Sequence, residues 1–313
     1  MIKINPAIVE KIYDLYILTK LHQMKVSKNT VDKKNGIVYY DGGCDSKSAI
    51  ILLHGFADSK NGHLMVAKEL LSNYRVLIPD LPGFGENPKD HHEQYTLSFM
   101  SDKVIELIHD NDFNQVHILG HSLGGAVAMD IAVKAPGLVK SLILVGSAGF
   151  YHTDVRTVQN EILEGDNVFC VNSDHEFIEL IQRVYSNPPK IPGFIFSYLS
   201  KKFQAKGEWY QKVLDDLIGE LSDNDTNSKL LAESFNDKVK GFSMNTLLLW
   251  GDDDRIIPME IGEFANSIMP KSTLKIVKNA GHAPQLENLT DYMDSLIAFL
   301  NENESGGFCE GMK

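Results

Sequence analysis

The stretch VHILGHSLGG at residues 116–125 decides the fold of this chain. Its apolar start is typical of a buried strand, and the pattern that follows, LGGAVAMDIAV, is typical of a helix. Between them stands G-x-S-x-G, in which Gly120 and Gly124 flank Ser122. A strand that turns sharply into a helix strains its middle residue and needs very small neighbours. The stretch therefore predicts a nucleophilic serine at the carboxyl end of a strand.

Apolar strand patterns alternate with helical patterns on both sides of this stretch. Strands are predicted at residues 49–53, 75–78, 116–119, 142–145, 246–250 and 273–277. Continuous apolar strands alternating with helices are typical of a parallel sheet that is covered on both faces. Upstream, residues 26–31 and 37–40 predict a β-hairpin that ends at Asp41-Gly42-Gly43. The prediction is an α/β fold with a mostly parallel sheet flanked by helices.

The alternation stops between residues 150 and 241, where no buried strand is indicated. Helices are predicted there at residues 154–163, 174–185, 195–203, 208–221 and 229–239. We therefore expect a core formed by residues 1–149 and 242–303, with a helical cap inserted at 150–241. Residues 304–313, which contain two adjacent glycines, are expected to form a flexible tail.

Residues 1–24 predict an N-terminal helix that carries Ile8, Ile12 and Leu15 on one face. We expect this face to pack against the core. The alternative is a helix that lies on a membrane surface near a lipid substrate, which would give peripheral membrane contact. Charged residues interrupt the apolar stretch, so neither a signal peptide nor a transmembrane helix is predicted.

The 313 residues carry a formal net charge of −12, which argues against a nucleic-acid partner. The three cysteines are Cys44, Cys170 and Cys309, and no CxxC pair occurs among them. An odd, widely spaced set predicts reduced thiols rather than a disulfide framework or a zinc site. We therefore expect a cytoplasmic protein, with membrane contact through the first helix left open.

A general base for Ser122 is expected after the last predicted strand, because the carboxyl ends of parallel strands share one edge of a sheet. His282 stands there, in the loop NAGHAP at residues 279–284. His121 is adjacent to Ser122, but its side chain is expected to leave the tight turn in another direction. His54 is expected to shape a nearby loop.

The acid that orients the base is expected after the preceding strand, where Asp252, Asp253 and Asp254 stand side by side. Asp254 is preferred by its distance from the strand end, Asp253 is the next candidate, and Asp252 suits a turn. The resulting order along the chain is Ser, Asp, His. A carboxylate in this position fixes the imidazole tautomer and stabilises the imidazolium.

An oxyanion hole is expected where the chain leaves the first parallel strand, at LHGFAD in residues 53–58. Gly55 lets the backbone pass close to the site. The backbone N–H groups of Phe56 and Leu123 are the predicted donors to a developing negative charge. No metal or organic cofactor is needed for such chemistry.

These motifs together resemble the α/β-hydrolase superfamily. The matching blocks are LLHGF (52–56), PDLPGFGEN (79–87), GHSLGG (120–125), LLLWGDDDRIIP (247–258) and NAGHAPQLE (279–287). Within the superfamily the chain looks most like bacterial triacylglycerol lipases and monoacylglycerol-lipase-like carboxylesterases. That resemblance implies hydrolysis of acylglycerols or medium-chain acyl esters through an acyl-enzyme, with the acyl chain under the cap.

Two alternatives stay open from the residues. A hydrolase with the same three groups acts on an amide, a lactone or a carbon–carbon bond, and a non-catalytic binding protein can use the same fold. Haloalkane dehalogenases and epoxide hydrolases of this fold are disfavoured, because they place Asp where this chain has Ser122.

Overall fold

The computed structural model describes residues 6–30, 36–44, 48–219 and 234–304. In these ranges an eight-stranded sheet has the order β1-β2-β4-β3-β5-β6-β7-β8. The strands are β1 (Ser27–Thr30), β2 (Val38–Gly43), β3 (Ala49–Leu53), β4 (Arg75–Pro79), β5 (Val116–His121), β6 (Val139–Val145), β7 (Asn245–Gly251) and β8 (Ser272–Val277). The first two strands run antiparallel to their neighbours, and β3 to β8 are parallel. The predicted α/β fold with a mostly parallel sheet is confirmed.

Helices cover both faces of the sheet and also form the inserted segment. They are α1 (Pro6–Met24), α2 (Leu64–Leu70), α3 (Leu97–Asp110), α4 (Leu123–Lys134), α5 (Val158–Leu163), α6 (Asp174–Val184), α7 (Gly193–Gln204), α8 (Gly207–Gly219), α9 (Met259–Ile268), α10 (Pro284–Glu287) and α11 (Leu289–Glu302). Neighbouring residues of a strand enter different cores: Ile118 of β5 belongs to one apolar cluster and Leu119 to the other. This alternation follows from the two-residue period of a strand.

The inserted segment contains α5 to α8 in its described part. Helix α5 begins at Val158, four residues later than predicted. The helix predicted at 229–239 begins outside the described ranges, and its described end holds only a 3₁₀ turn at Lys238–Gly241. That part of the prediction is wrong. The physical reason is packing, because the N–H of Phe235 donates to the carbonyl of Gly149 rather than to a helical partner.

Strand β2 continues through Gly42 and Gly43, where the sequence pattern predicted its end. The two glycines pair with Val76 and Arg75 of β4. A Cβ atom at Gly42 would lie 2.7 Å from Cγ2 of Val26, so glycine is required by a close approach inside the sheet. Glycine therefore marks tight packing here rather than a turn.

Helix α1 packs through the face opposite to the predicted one. Val9, Ile17 and Leu21 are buried, whereas Ile12 and Leu15 are 62% and 65% exposed. Both faces carry apolar residues at helical spacing, so the pattern did not determine which face meets the body of the protein.

Cys44, directly after β2, is disulfide-bonded, whereas Cys170 is a free thiol. The expectation of three reduced thiols is therefore wrong for Cys44. Spacing along the chain does not report which thiols meet once the chain has folded. The expected cytoplasmic location loses the support that it drew from the cysteines.

A buried ion pair joins the end of β4 to the loop that follows β3. Nζ of Lys60 lies 2.6 Å from Oδ2 of Asp80, and both side chains are almost fully buried. Asp80 also accepts hydrogen bonds from the backbone N–H groups of Lys60 and Glu86, at 2.8 Å each. The carboxylate is thus satisfied on both oxygens, and it holds two loops together.

Lys60→Met is expected to lower the free energy of unfolding by about 3–5 kcal/mol, because Asp80 would remain buried without its counter-ion. Urea unfolding followed by circular dichroism measures this change. Lys240→Met is the matched control, since Lys240 pairs with Asp237 on the surface and such pairs contribute little. Equal effects of the two substitutions would contradict the assigned role of the buried pair.

Candidate active site

Ser122 occupies a strained turn between β5 and α4. Its backbone has φ 54° and ψ −118°, in a region that side chains rarely adopt. A Cβ atom at Gly120 would lie 2.2 Å from the carbonyl oxygen of Gly124, and one at Gly124 would lie 2.4 Å from that of Leu53. Only glycine fits at either position, as the motif predicted. The turn therefore presents Ser122 at the carboxyl edge of the sheet.

Asp254 and His282 are joined directly. Nδ1 of His282 lies 2.8 Å from Oδ2 of Asp254, and both side chains are buried. The other oxygen of Asp254 accepts the backbone N–H groups of Ile256 and Ile257, each at 2.9 Å. These two bonds fix the carboxylate, which in turn fixes the ring so that Nε2 is free to accept a proton.

The neighbouring aspartates take other positions. Asp253 is part of a surface ion pair with Arg255. Asp252 accepts the backbone N–H of Ala280 at 3.2 Å, which ties the loop after β7 to the loop after β8. Of the three candidates, the structure therefore brings only Asp254 to the histidine.

Gly146, at the end of β6, lies beneath the Asp254–His282 pair. A Cβ atom there would lie 3.1 Å from Oδ2 of Asp254 and 3.2 Å from Nδ1 of His282, and its φ is +46°. Sequence reasoning missed this residue, although a glycine that ends a buried strand was a signal of close approach. Among the described residues, Ser122 Oγ forms no hydrogen bond with His282. Such bonds often close only when substrate is bound.

Two further histidines, His121 and His54, shape the loops around the site. Nε2 of His121 lies 2.7 Å from the carbonyl oxygen of His282 and holds the loop that carries the base. Burial, followed by repulsion from His282, lowers the pKa of His121 well below its ordinary value, so its ring is neutral. Nε2 of His54 accepts the N–H of Leu81 at 2.9 Å, which positions the loop after β3 as predicted. The contact of His121 was not foreseen.

The predicted oxyanion donors both line the cavity that contains Ser122. Leu123 is the first residue of α4, so its N–H has no acceptor within the helix. The N–H of Phe56 donates to no backbone carbonyl of the described residues. Ala57, with φ +61°, turns the chain directly after Phe56. Both N–H groups are therefore available to a ligand.

The cavity over Ser122 has a volume of about 200 Å³ and a mainly apolar wall. The core contributes Leu97 and Ala126, and the inserted segment contributes Val158, Ile162 and Leu217. Four aromatic residues of the insertion line the cavity, namely Phe150, Tyr151, Phe169 and Phe235. The ring centroid of Phe169 lies 5.0 Å from that of Phe56. Other aromatic side chains of the insertion, such as Phe177 and Phe196, pack on one another.

The inserted segment also contacts the catalytic loop. The backbone N–H of His282 donates to the carbonyl of Val184, the last residue of α6, at 2.8 Å. A Cβ atom at Gly281 would lie 2.6 Å from the same oxygen. The end of α6 therefore packs closely against the loop that carries His282.

Comparison with known proteins gives the same picture of the fold. A profile of the family described as alpha/beta hydrolase fold matches residues 48–289, well over half of the chain. Lipase 1 of Psychrobacter immobilis is 28% identical over 279 residues, covering 88% of this chain and 84% of the relative. Lipase 3 of Moraxella sp. (strain TA144) is 27% identical with the same coverage. The structure of a putative lipase from Acinetobacter baumannii AYE superimposes with a TM-score of 0.81 at 27% identity, covering 93% of this chain and 96% of that one.

Ser122→Ala is expected to abolish covalent labelling by a fluorophosphonate, because the reagent needs an activated serine hydroxyl. His282→Ala is expected to reduce labelling to a similar extent, since the two groups act as a unit. The melting temperature of Ser122→Ala should stay near that of the unchanged protein. Labelling that survives in Ser122→Ala, or unfolding of that variant, would contradict the role given to this serine.

Proposed function

Because the chain belongs to the alpha/beta hydrolase fold family, we propose that it is a serine hydrolase of carboxylic esters. The observation that carries the proposal is the buried pair of Asp254 and His282, 2.8 Å apart, beside a serine in a strained turn that faces an apolar cavity. The relatives named as lipases support an ester, and in particular a lipid ester, as the substrate.

The first half of the reaction forms an acyl-enzyme. Ser122 Oγ attacks the ester carbonyl while Nε2 of His282 accepts its proton. The carbonyl oxygen becomes negatively charged, and the N–H groups of Phe56 and Leu123 stabilise it. Asp254 stabilises the imidazolium. The bond to the alcohol then breaks, and His282 gives the proton to the leaving oxygen.

The second half releases the acid. Water attacks the acyl carbonyl while His282 accepts a proton from it, and the same two N–H groups stabilise the new oxyanion. Oγ of Ser122 leaves and recovers its proton from His282. Every step uses side chains and backbone groups of this chain, and water is the co-substrate.

The apolar cavity favours an aliphatic acyl chain. Its wall carries little polar surface, so a charged acyl group would lose its hydration without gaining partners. Each methylene that enters such a pocket contributes about 0.8 kcal/mol. We propose that medium acyl chains, including those of acylglycerols, occupy the cavity beneath the inserted segment.

A panel of para-nitrophenyl esters of increasing acyl-chain length tests the proposed ester hydrolysis and the proposed preference for medium acyl chains. The unchanged protein is expected to favour medium aliphatic chains over acetyl esters and over dicarboxylic half-esters, measured as kcat/KM. Leu217→Trp fills part of the cavity and should lower kcat/KM for decanoyl relative to butyryl esters by about 10-fold or more. The matched control is Leu217→Met, which conserves volume and should keep the ratio.

The result on the panel also separates the alternatives. Absence of turnover on every ester, together with fluorophosphonate labelling of Ser122, would point to another bond as the substrate. Absence of both would favour a binding protein. An unchanged ratio in Leu217→Trp would contradict the assignment of the cavity to the acyl chain.

We also propose that helix α1 makes peripheral contact with a lipid surface. Its outward face carries Ile8, Ile12, Leu15 and Leu18, each exposed by half or more. The helix is attached to the inserted segment, since Glu10 pairs with Lys202 of α7 at 3.0 Å. No helix in the described ranges is long and apolar enough to span a bilayer. An exposed apolar stripe next to the cover of a lipid site is suited to lie in a membrane interface.

Co-flotation with phosphatidylcholine vesicles measures this contact. Substitution of both Ile12 and Leu15 by Glu is expected to lower the bound fraction strongly, because two charges would enter the interface. Ile297→Glu is the control, since Ile297 is an exposed apolar residue of another helix, α11. Equal flotation of all three proteins would contradict the proposed contact.

A further inference from the structure

A carboxylate that the mechanism does not use lies two residues after Phe56. The chain turns tightly between Gly55 and Asp58, whose N–H donates to the carbonyl of Gly55 at 3.3 Å. A Cβ atom at Gly62 would lie 2.2 Å from Oδ2 of Asp58. Glycine at position 62 thus leaves room for the carboxylate, which rests against the 3₁₀ turn Lys60–His63.

Asp58 is accessible and yet surrounded by protein. The residue is solvent-exposed. Nevertheless, desolvation raises the pKa of its carboxyl, although His54 and the N–H of Ser59 act in the opposite direction. Because its carboxylate also lies against Gly62, Asp58 is placed in the wall of a crevice rather than on an open surface. Within the described ranges, no basic side chain forms an ion pair with it.

Three tyrosines from different parts of the fold lie near Asp58. The hydroxyl of Tyr13 accepts a hydrogen bond from Nδ2 of Asn61 at 3.3 Å, and the hydroxyl of Tyr210 donates to the carbonyl of Ala57 at 3.4 Å. After burial, the charge of Asp58 is among the causes that raise the pKa of Tyr13 in α1, of Tyr185 after α6 and of Tyr210 in α8. The ring centroid of Tyr210 lies 5.7 Å from that of Phe56. Asp58 therefore faces α1 and the inserted segment from the oxyanion loop.

The crevice is on the histidine side of the candidate site. Tyr185 directly follows Val184, whose carbonyl accepts the N–H of His282. Neither Asp58 nor Tyr185 contributes to the apolar cavity that we assign to the acyl chain. The alcohol of an ester must lie near His282, because this residue protonates the leaving oxygen. The crevice with Asp58 is therefore in position to receive the alcohol portion.

From this arrangement we infer that Asp58 binds a hydrogen-bond donor on the leaving alcohol and thereby selects polar alcohols. The inference rests on the proposed ester hydrolysis and adds the alcohol side of the substrate. A free hydroxyl of a polyol and the ammonium of an amino alcohol share this chemistry, because both donate to a carboxylate. Aromatic side chains around a carboxylate also suit a cation.

Two pairs of isosteric decanoyl esters test the inference. The 2-hydroxyethyl ester is compared with the propyl ester, and the 2-(dimethylamino)ethyl ester, protonated at neutral pH, with the 3-methylbutyl ester. The readout is the ratio of kcat/KM within each pair. The unchanged protein is expected to favour the donor-bearing member of at least one pair. Asp58→Ala should reduce that preference by about 10- to 100-fold, as for the loss of a hydrogen bond to a charged group.

Asp58→Asn shows whether the donor is a hydroxyl or an ammonium group, because the substitution keeps an acceptor oxygen and removes the negative charge. A preference for hydroxyl should survive in part, whereas a preference for ammonium should disappear. Asp294→Asn is the control, since Asp294 is exposed on α11 and should leave both ratios unchanged.

The inference would be overturned if the unchanged protein preferred neither donor-bearing ester. It would also be overturned if the kcat/KM ratios of Asp58→Ala equalled those of the unchanged protein. Because ratios are compared, a general loss of stability does not imitate the effect. Hydrolysis of the propyl ester without any preference would leave the proposed ester hydrolysis intact and remove only the role of Asp58. Lack of hydrolysis of all four esters would contradict the proposed function itself.

Discussion

The contact on which the site depends is the crossing of the β5–α4 turn over the end of β3. Gly124 approaches the backbone of Leu53 so closely that a methyl group could not be accommodated. This approach keeps Ser122 in a strained conformation and brings the first N–H of α4 next to the loop that contains Phe56. One steric constraint thus sets the positions of the candidate nucleophile and of both candidate oxyanion donors.

The parallel arrangement of the strands positions the remaining residues of the site. Strands β5, β6, β7 and β8 are consecutive neighbours, so the residues that follow them emerge along one edge. Ser122, Gly146, Asp254 and His282 come from these four strand ends. Chain order and strand ends were readable from the sequence, which is why the meeting of Asp254 and His282 could be predicted.

What the sequence did not reveal depends on contacts between distant segments. The exposed face of α1 has the same pattern as a buried one, and the glycines of β2 resemble a turn. The bond from His121 to the carbonyl of His282 joins residues 161 positions apart. Lys60 and Asp80 gave no local signal of a buried pair. Periodicity reports which residues share a face, but only packing decides what that face meets.

The bond between the N–H of His282 and the carbonyl of Val184 has a mechanical consequence. The end of α6 and the imidazole cannot move independently, because separating them would leave a buried N–H and a carbonyl without partners. Any widening of the entrance that lifted this end of α6 would also disturb the proton acceptor. Substrate passage without loss of alignment therefore requires displacement elsewhere in the inserted segment, with the junction at Val184 acting as its fixed pivot.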